Sequence, residues 1–137
     1  MDEQQKHLLQ AAAQAALKAY APYSRFRVGA AVLTTGGVFE GANIETASTN
    51  LGICAERAAL IHARMRGEHE IIGVAVCCPD IVENEDGSVD EHRAMPCGAC
   101  RQWLAELAPA AWVVTSSSDK VYGVDDLLPS AFQMPPG

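Results

Sequence analysis

Two short stretches, far apart in the chain, restrict it more than anything else: Cys54-Ala55-Glu56 and Pro96-Cys97-Gly98-Ala99-Cys100. Each reads as the head of a helix. Three thiols in these places suit one zinc ion, because a catalytic zinc takes three protein ligands and keeps a fourth position for water, whereas a structural zinc is closed by four. A fold that uses them together must bring two helix starts to one point. Cys97 and Cys100 have the C-x-x-C spacing that lets both sulfurs reach one metal from a single turn, and Cys54 would add the third from another segment. Helix starts carry unpaired backbone amides and the positive end of the macrodipole, which favours an anionic thiolate. Glu56 shares the first turn with Cys54 and can face a water in the open position without becoming a ligand.

Taken alone, Cys97-Gly98-Ala99-Cys100 is equally a redox pair or half of a structural zinc knuckle. A redox role leaves Cys54 and Glu56 without tasks. A structural zinc needs a fourth ligand, for which Cys77, Cys78 and His92 are the candidates. Cys77 and Cys78 fall in a core-strand pattern, where one of the two is expected to face the interior as a small apolar side chain. His7, His62 and His69 have no partner spacing and read as surface or helix-edge residues. Glu56 has an ordinary reading too, as an acid favoured by the helix dipole. Three thiolates would leave divalent zinc with a net charge of about −1, so an arginine donating to one of them would restore acidity to the bound water. Arg57 is placed for that.

Residues 3–18 repeat Leu8, Leu9, Ala12, Ala13, Ala16 and Leu17 at helical spacing, and their alanine content adds helix propensity. Pro22 ends that helix. A buried strand is expected over 28–34, a hairpin turn at Thr35-Gly36-Gly37 and a return strand over 38–42. Asn43 and Glu45 follow the strand end, where polar groups often touch a ligand, although a turn cap and an exposed acid are equal alternatives. The first thiol helix should span 54–66, and the apolar run 71–78 reads as a central strand. Residues 79–93 are acidic and turn-rich, a surface loop or small hairpin. The second thiol helix should reach Leu107, followed by strands at 112–116 and 120–124 and a one-turn helix at 125–128. This order predicts a three-layer α/β/α sandwich with a mixed sheet, the thiol helices together on one face and their amino ends meeting at one edge of the sheet.

At 137 residues, 49% of them hydrophobic, the chain is expected to form one domain spanning 1–137. Ten scattered Lys and Arg against seventeen Asp and Glu give −7, which argues against a nucleic-acid groove and for a small neutral or cationic substrate. No apolar run reaches membrane-span length, and the first residues resemble no targeting peptide, so no membrane partner and a cytoplasmic location are expected. Five cysteines, an odd number, favour metal or reactive thiols over a disulfide framework.

The chain resembles the small, homotetrameric type of cytidine deaminase, whose superfamily signature joins a His or Cys ligand, a nearby Glu and P-C-x-x-C; that signature is an established example of zinc deaminase chemistry. The resemblance runs through 21–31, Asn43-Ile44-Glu45, 51–57, 96–102 and 127–132, in the family's order. It implies a five-stranded mixed sheet, one zinc per subunit on Cys54, Cys97 and Cys100, and Glu56 as the proton shuttle. It further implies that Asn43 and Glu45 hold the ribose hydroxyls and that Phe26 lines the base pocket. Phe132 would reach a neighbouring subunit's site, in a tetramer whose active sites are shared. The expected reaction is hydrolytic deamination of cytidine and deoxycytidine, with the Ala55 carbonyl and an amide at the Cys97 helix start reading the base. Two departures stand out. Thr49-Asn50 replaces the aromatic and proline of many relatives, and the acidic segment 80–93 is longer than usual. They leave room for another cytosine nucleoside, of the blasticidin S type or a modified cytidine. A noncatalytic structural-zinc protein is the reading from a different class.

Overall fold

The computed structural model describes residues 1–137. Helix α1 (Glu3–Ala16) begins with a reciprocal cap in which Asp2 accepts from the Gln5 amide and Gln5 accepts from the Asp2 amide. It is followed by strands β1 (Gly29–Thr34) and β2 (Gly37–Ala42), helix α2 (Ala55–Met65) and strand β3 (Ile71–Cys77). The chain then forms helix α3 (Gly98–Leu107), strands β4 (Trp112–Thr115) and β5 (Ser118–Gly123), and the single-turn helix α4 (Val124–Leu127).

The five strands form one sheet in the order β2-β1-β3-β4-β5. All neighbours are antiparallel except β3 and β4, which run parallel. The parallel pair is the one that α3 connects, as a crossover between parallel strands requires. The mixed five-stranded sheet is therefore as expected, and β3 is its central strand.

Alternation along the inner strands sends side chains to two different layers. Ala30, Val32, Val74, Val76 and Val113 pack with Leu60 of α2 and Leu104 of α3. On the other face Ala31, Ala75 and Val114 meet Leu8 and Ala12 of α1. The three layers and the shared face of the thiol helices thus follow from the sequence pattern. Both helix contacts are close. A Cβ at Gly29 would sit 1.9 Å from the Ala12 carbonyl oxygen, and one at Gly41 would sit 2.3 Å from the Ala59 nitrogen, so only glycine lets the helices approach.

Three expectations need correction. Cys77 and Cys78 are both buried, Cys77 beneath α1 and Cys78 in the opposite cluster, because adjacent strand residues point to opposite faces and here both faces are covered. The last strand is longer and earlier than 120–124, since Ser118 already pairs with Thr115 across a tight turn. The amino ends of α2 and α3 do not meet at a lateral edge of the sheet. The cavity they share is lined by Val28 and Val76, which places it over the ends of the inner strands β1 and β3.

Candidate active site

Cys54 is the N-cap of α2 and Cys97 the N-cap of α3, each in extended backbone just before helical geometry starts. Cys100 lies one turn into α3. The two helix starts converge so that the Cys54 and Cys97 sulfurs are 3.8 Å apart and those of Cys97 and Cys100 3.6 Å apart. Zinc–sulfur bonds of about 2.3 Å in tetrahedral array put sulfurs about 3.8 Å from one another. The three sulfurs lie within 4.8 Å of each other, and no fourth His, Cys, Asp or Glu joins the group. Cys77, Cys78 and His92 therefore do not close the site, and the donor set is that of an open three-ligand zinc. All five cysteines are free thiols.

The electrostatics suit a cation. Hydrogen bonding with the Cys100 thiol, aided by Arg57 and Cys97, lowers the Cys54 pKa to about 5. Cys100 shifts upward, because its thiol serves as donor to Cys54 and is buried. A bound divalent ion would deprotonate all three thiols. Arg57 donates from Nη2 to the Cys54 sulfur across 3.5 Å, as its place in the sequence suggested. Glu56 is 4% exposed, and burial pushes its carboxyl up to about 7, with the charge of Cys54 adding to the effect.

Cys54, Glu56 and Cys97 line a cavity of about 690 Å³. Phe26, Asn43, Glu45, Ala55, Thr49 and Asn50 line it as well. Asn43 and Glu45 carry structural hydrogen bonds there. The Asn43 amide donates to the Phe26 carbonyl at 2.9 Å and accepts from the Val28 amide at 2.8 Å. Glu45 accepts from the Tyr23 and Ser24 amides, both at 3.1 Å, and from the Ser24 hydroxyl at 2.5 Å. The Ala55 carbonyl, expected to read the base, is turned toward β2. A Cβ at Gly41 would lie 2.6 Å from that oxygen, and Ala55, as the first residue of α2, has an amide with no partner within the helix. Phe132 is 67% exposed and outside the cavity lining.

The sequence pattern does not point to Arg93 or Met95, both of which line the cavity, and offers Cys78, which lines it too, only as a fourth zinc ligand or a core residue. Arg93 closes the segment that reads as a surface loop and Met95 lies just beyond it, and their closeness to Cys97 is the one available signal. Cys78 read as core because strand periodicity does not mark where a strand ends over a cavity.

A family model described as "Cytidine and deoxycytidylate deaminase zinc-binding region" matches residues 2–116. The chain is 44% identical over 138 aligned residues to a cytidine deaminase of Halalkalibacterium halodurans, covering 96% of this chain and 95% of the relative. It is 40% identical over 122 residues to a cytidine deaminase of Mycobacterium tuberculosis, covering 88% and 84%. Among solved structures, the cytidine deaminase from Burkholderia pseudomallei superposes with a TM-score of 0.78 at 41% identity, covering 96% of this chain and all of that one. The M. tuberculosis structure gives 0.79 at 36% identity, covering 97% and 100%. Zinc is the cofactor that both the family model and the three converging thiols call for. A match over most of the chain, with a five-stranded sheet and thiol cluster to go with it, makes this protein a member of the cytidine and deoxycytidylate deaminase family.

Proposed function

We propose that the chain catalyses zinc-dependent hydrolytic deamination of cytidine and deoxycytidine, taking up one water and releasing uridine or deoxyuridine and ammonia. The observation that carries this reading is the open three-thiol group with buried Glu56, of which Cys54, Cys97 and Glu56 line a nucleoside-sized cavity. Zinc held by Cys54, Cys97 and Cys100 would supply Lewis-acid activation of water. Glu56 accepts the proton that this water releases and delivers it to ring N3, which makes C4 electrophilic. The water oxygen then adds at C4, Glu56 takes the second proton from that oxygen and passes it to the amine, and the C4–N bond breaks as the C4 carbonyl forms and ammonia leaves. A carboxyl whose pKa is raised toward neutrality suits both directions of that transfer.

Phe26 is assigned to the base, Asn43 and Glu45 to the ribose hydroxyls, and the Ala55 amide to a ring acceptor. Glu45 keeps acceptor capacity beyond its three bonds for a hydroxyl donor. We assign residues 1–137 to one domain and the working assembly to a homotetramer. Exposed Phe132 would serve a neighbouring copy's site, which is consistent with its position outside its own cavity. Five free thiols fit a reducing cytoplasm.

Thr49 and Asn50 in the cavity lining favour a second reading, deamination of a larger cytosine nucleoside of the blasticidin S type. Metal content measured with ammonia release from cytidine, deoxycytidine, blasticidin S, adenosine and guanine tests both. Stoichiometric zinc and fast turnover of the first two support the leading reading, and a strong preference for the antibiotic replaces it with the second. A zinc-loaded protein that releases no ammonia from any of the five would sink both.

A further inference from the structure

The segment 24–28, which carries Phe26, has little regular structure of its own and is held by side chains from elsewhere. Arg25 has φ of 56°, in the left-handed region that a non-glycine residue occupies only when its surroundings enforce it. The peptide unit between Phe26 and Arg27 is gripped at both polar atoms. Its carbonyl accepts from Asn43 Nδ2 at 2.9 Å, and its amide donates to Asp80 Oδ2 at 2.8 Å. Asp80 also receives the Arg27 side chain in a fork, Nε to Oδ2 at 3.0 Å and Nη2 to Oδ1 at 2.8 Å. Asn43 belongs to the motif assigned to the ribose. Asp80 does not, since it opens the acidic segment 80–93 and is not part of the cavity lining.

We propose that Asp80 is a positioning residue, which sets the Phe26 wall of the cavity by fixing the Phe26–Arg27 peptide and the Arg27 side chain together. The proposal rests on the deaminase reading above. Its physical content is that a peptide plane held at one end only can rotate, and the strain at Arg25 gives it reason to. Asn43 alone leaves the amide side free. Loss of Asp80 therefore lets the aromatic wall move while the thiols and Glu56, on other elements, stay in place. Substrate binding weakens and the chemical step does not. Because the affected wall faces the base, the two nucleosides that differ at the ribose are weakened equally. The long acidic segment thereby acquires a task at its first residue.

The test uses the zinc-loaded full chain with cytidine and deoxycytidine. Turnover by the unsubstituted protein is checked first; its absence would count against the deaminase reading and not against the clamp, whose geometry a structure of the Asp80 variant still tests through the Phe26 position. Asp80→Ala is expected to raise KM about tenfold for both nucleosides, with kcat within about twofold and zinc content unchanged. Asp80→Asn, which keeps an acceptor for the Arg27 amide, should fall between and serves if the alanine variant does not fold. In a Phe26→Ala background the Asp80 substitution should change KM by less than about twofold, since the part it positions is gone. A KM effect of the same size with and without Phe26, a fall in kcat with zinc loss, or unequal shifts for the two nucleosides would overturn the proposal.

Discussion

Arg57 Nη2 donates to the sulfur of Cys54 across 3.5 Å, and the two residues are three apart at the start of α2. A helix turn puts them on one face, so the second partner comes with the first. The Arg57 Nε is buried and has no hydrogen-bond partner, which is a cost the fold accepts for a guanidinium in this place. Arg101, at the head of the other thiol helix, is spent differently. It donates to the Pro96 carbonyl at 2.8 Å and the Leu127 carbonyl at 2.7 Å, tying α3 to its own approach and to α4. Only one of the two arginines acts on a sulfur.

Arg57→Gln is therefore expected to retain the fold but to lose about 10- to 100-fold in zinc affinity or in kcat/KM. Metal competition with a chelator and steady-state kinetics separate the two. An unchanged enzyme would remove Arg57 from the thiolate's environment.

Replacing Glu56 tests the proton shuttle without changing its volume. Glu56→Gln should lower kcat by at least about 10²-fold, leaving zinc content and thermal midpoint close to those of the parent, because the glutamine is neutral and the site is already desolvated. Zinc analysis alongside ammonia release reads both quantities.

Gly41→Ala connects the fold to the site. The added Cβ would meet the Ala59 nitrogen at 2.3 Å and the Ala55 carbonyl at 2.6 Å, both backbone atoms of α2. The helix must then move away from β2, taking Cys54 and Glu56 with it. Destabilisation of about 1–3 kcal/mol is expected, with reduced turnover in the protein that remains folded. Denaturant titration and activity per folded molecule check it.

The Arg27–Asp80 pair predicts an acid limb. Hydrogen bonds from Arg27 hold the Asp80 carboxyl down to about 2, below its ordinary 3.8. The unfolded chain thus binds the proton more readily, so this stabilisation is fully present above that ordinary value and disappears as pH falls toward 2. The stability difference between parent and Asp80→Asn should shrink over that window and stay constant above it. Equilibrium unfolding at a series of pH values measures the difference, and a gap that does not vary with pH would contradict the assignment.

Much of the site was legible because its residues are local. Cys54, Glu56 and Arg57 share one helix turn, Cys97 and Cys100 share another, and a helix start has the same chemistry wherever the helix lies. Layer assignment was legible as well, since strand alternation and helix periodicity need no coordinates. The fates of Ala55, Cys77 and Arg93 were not. Each depends on what lies across from it: the Ala55 carbonyl on the close approach of β2, Cys77 on α1 covering the second face, and Arg93 on a segment folding back over the cavity.

The sequence by itself determined the three thiols at two helix starts, the carboxyl beside the first of them and the alternation that sorts side chains into layers, because these depend on residue type and short spacing. Only the tertiary structure decided that the sulfurs of Cys54 and Cys97 come within 3.8 Å, that no fourth ligand joins them, and that Asp80 grips the peptide behind Phe26. Those outcomes join segments distant in the chain, and the distance between such segments is set by how helices seat on the sheet, down to a missing Cβ at Gly29 and Gly41.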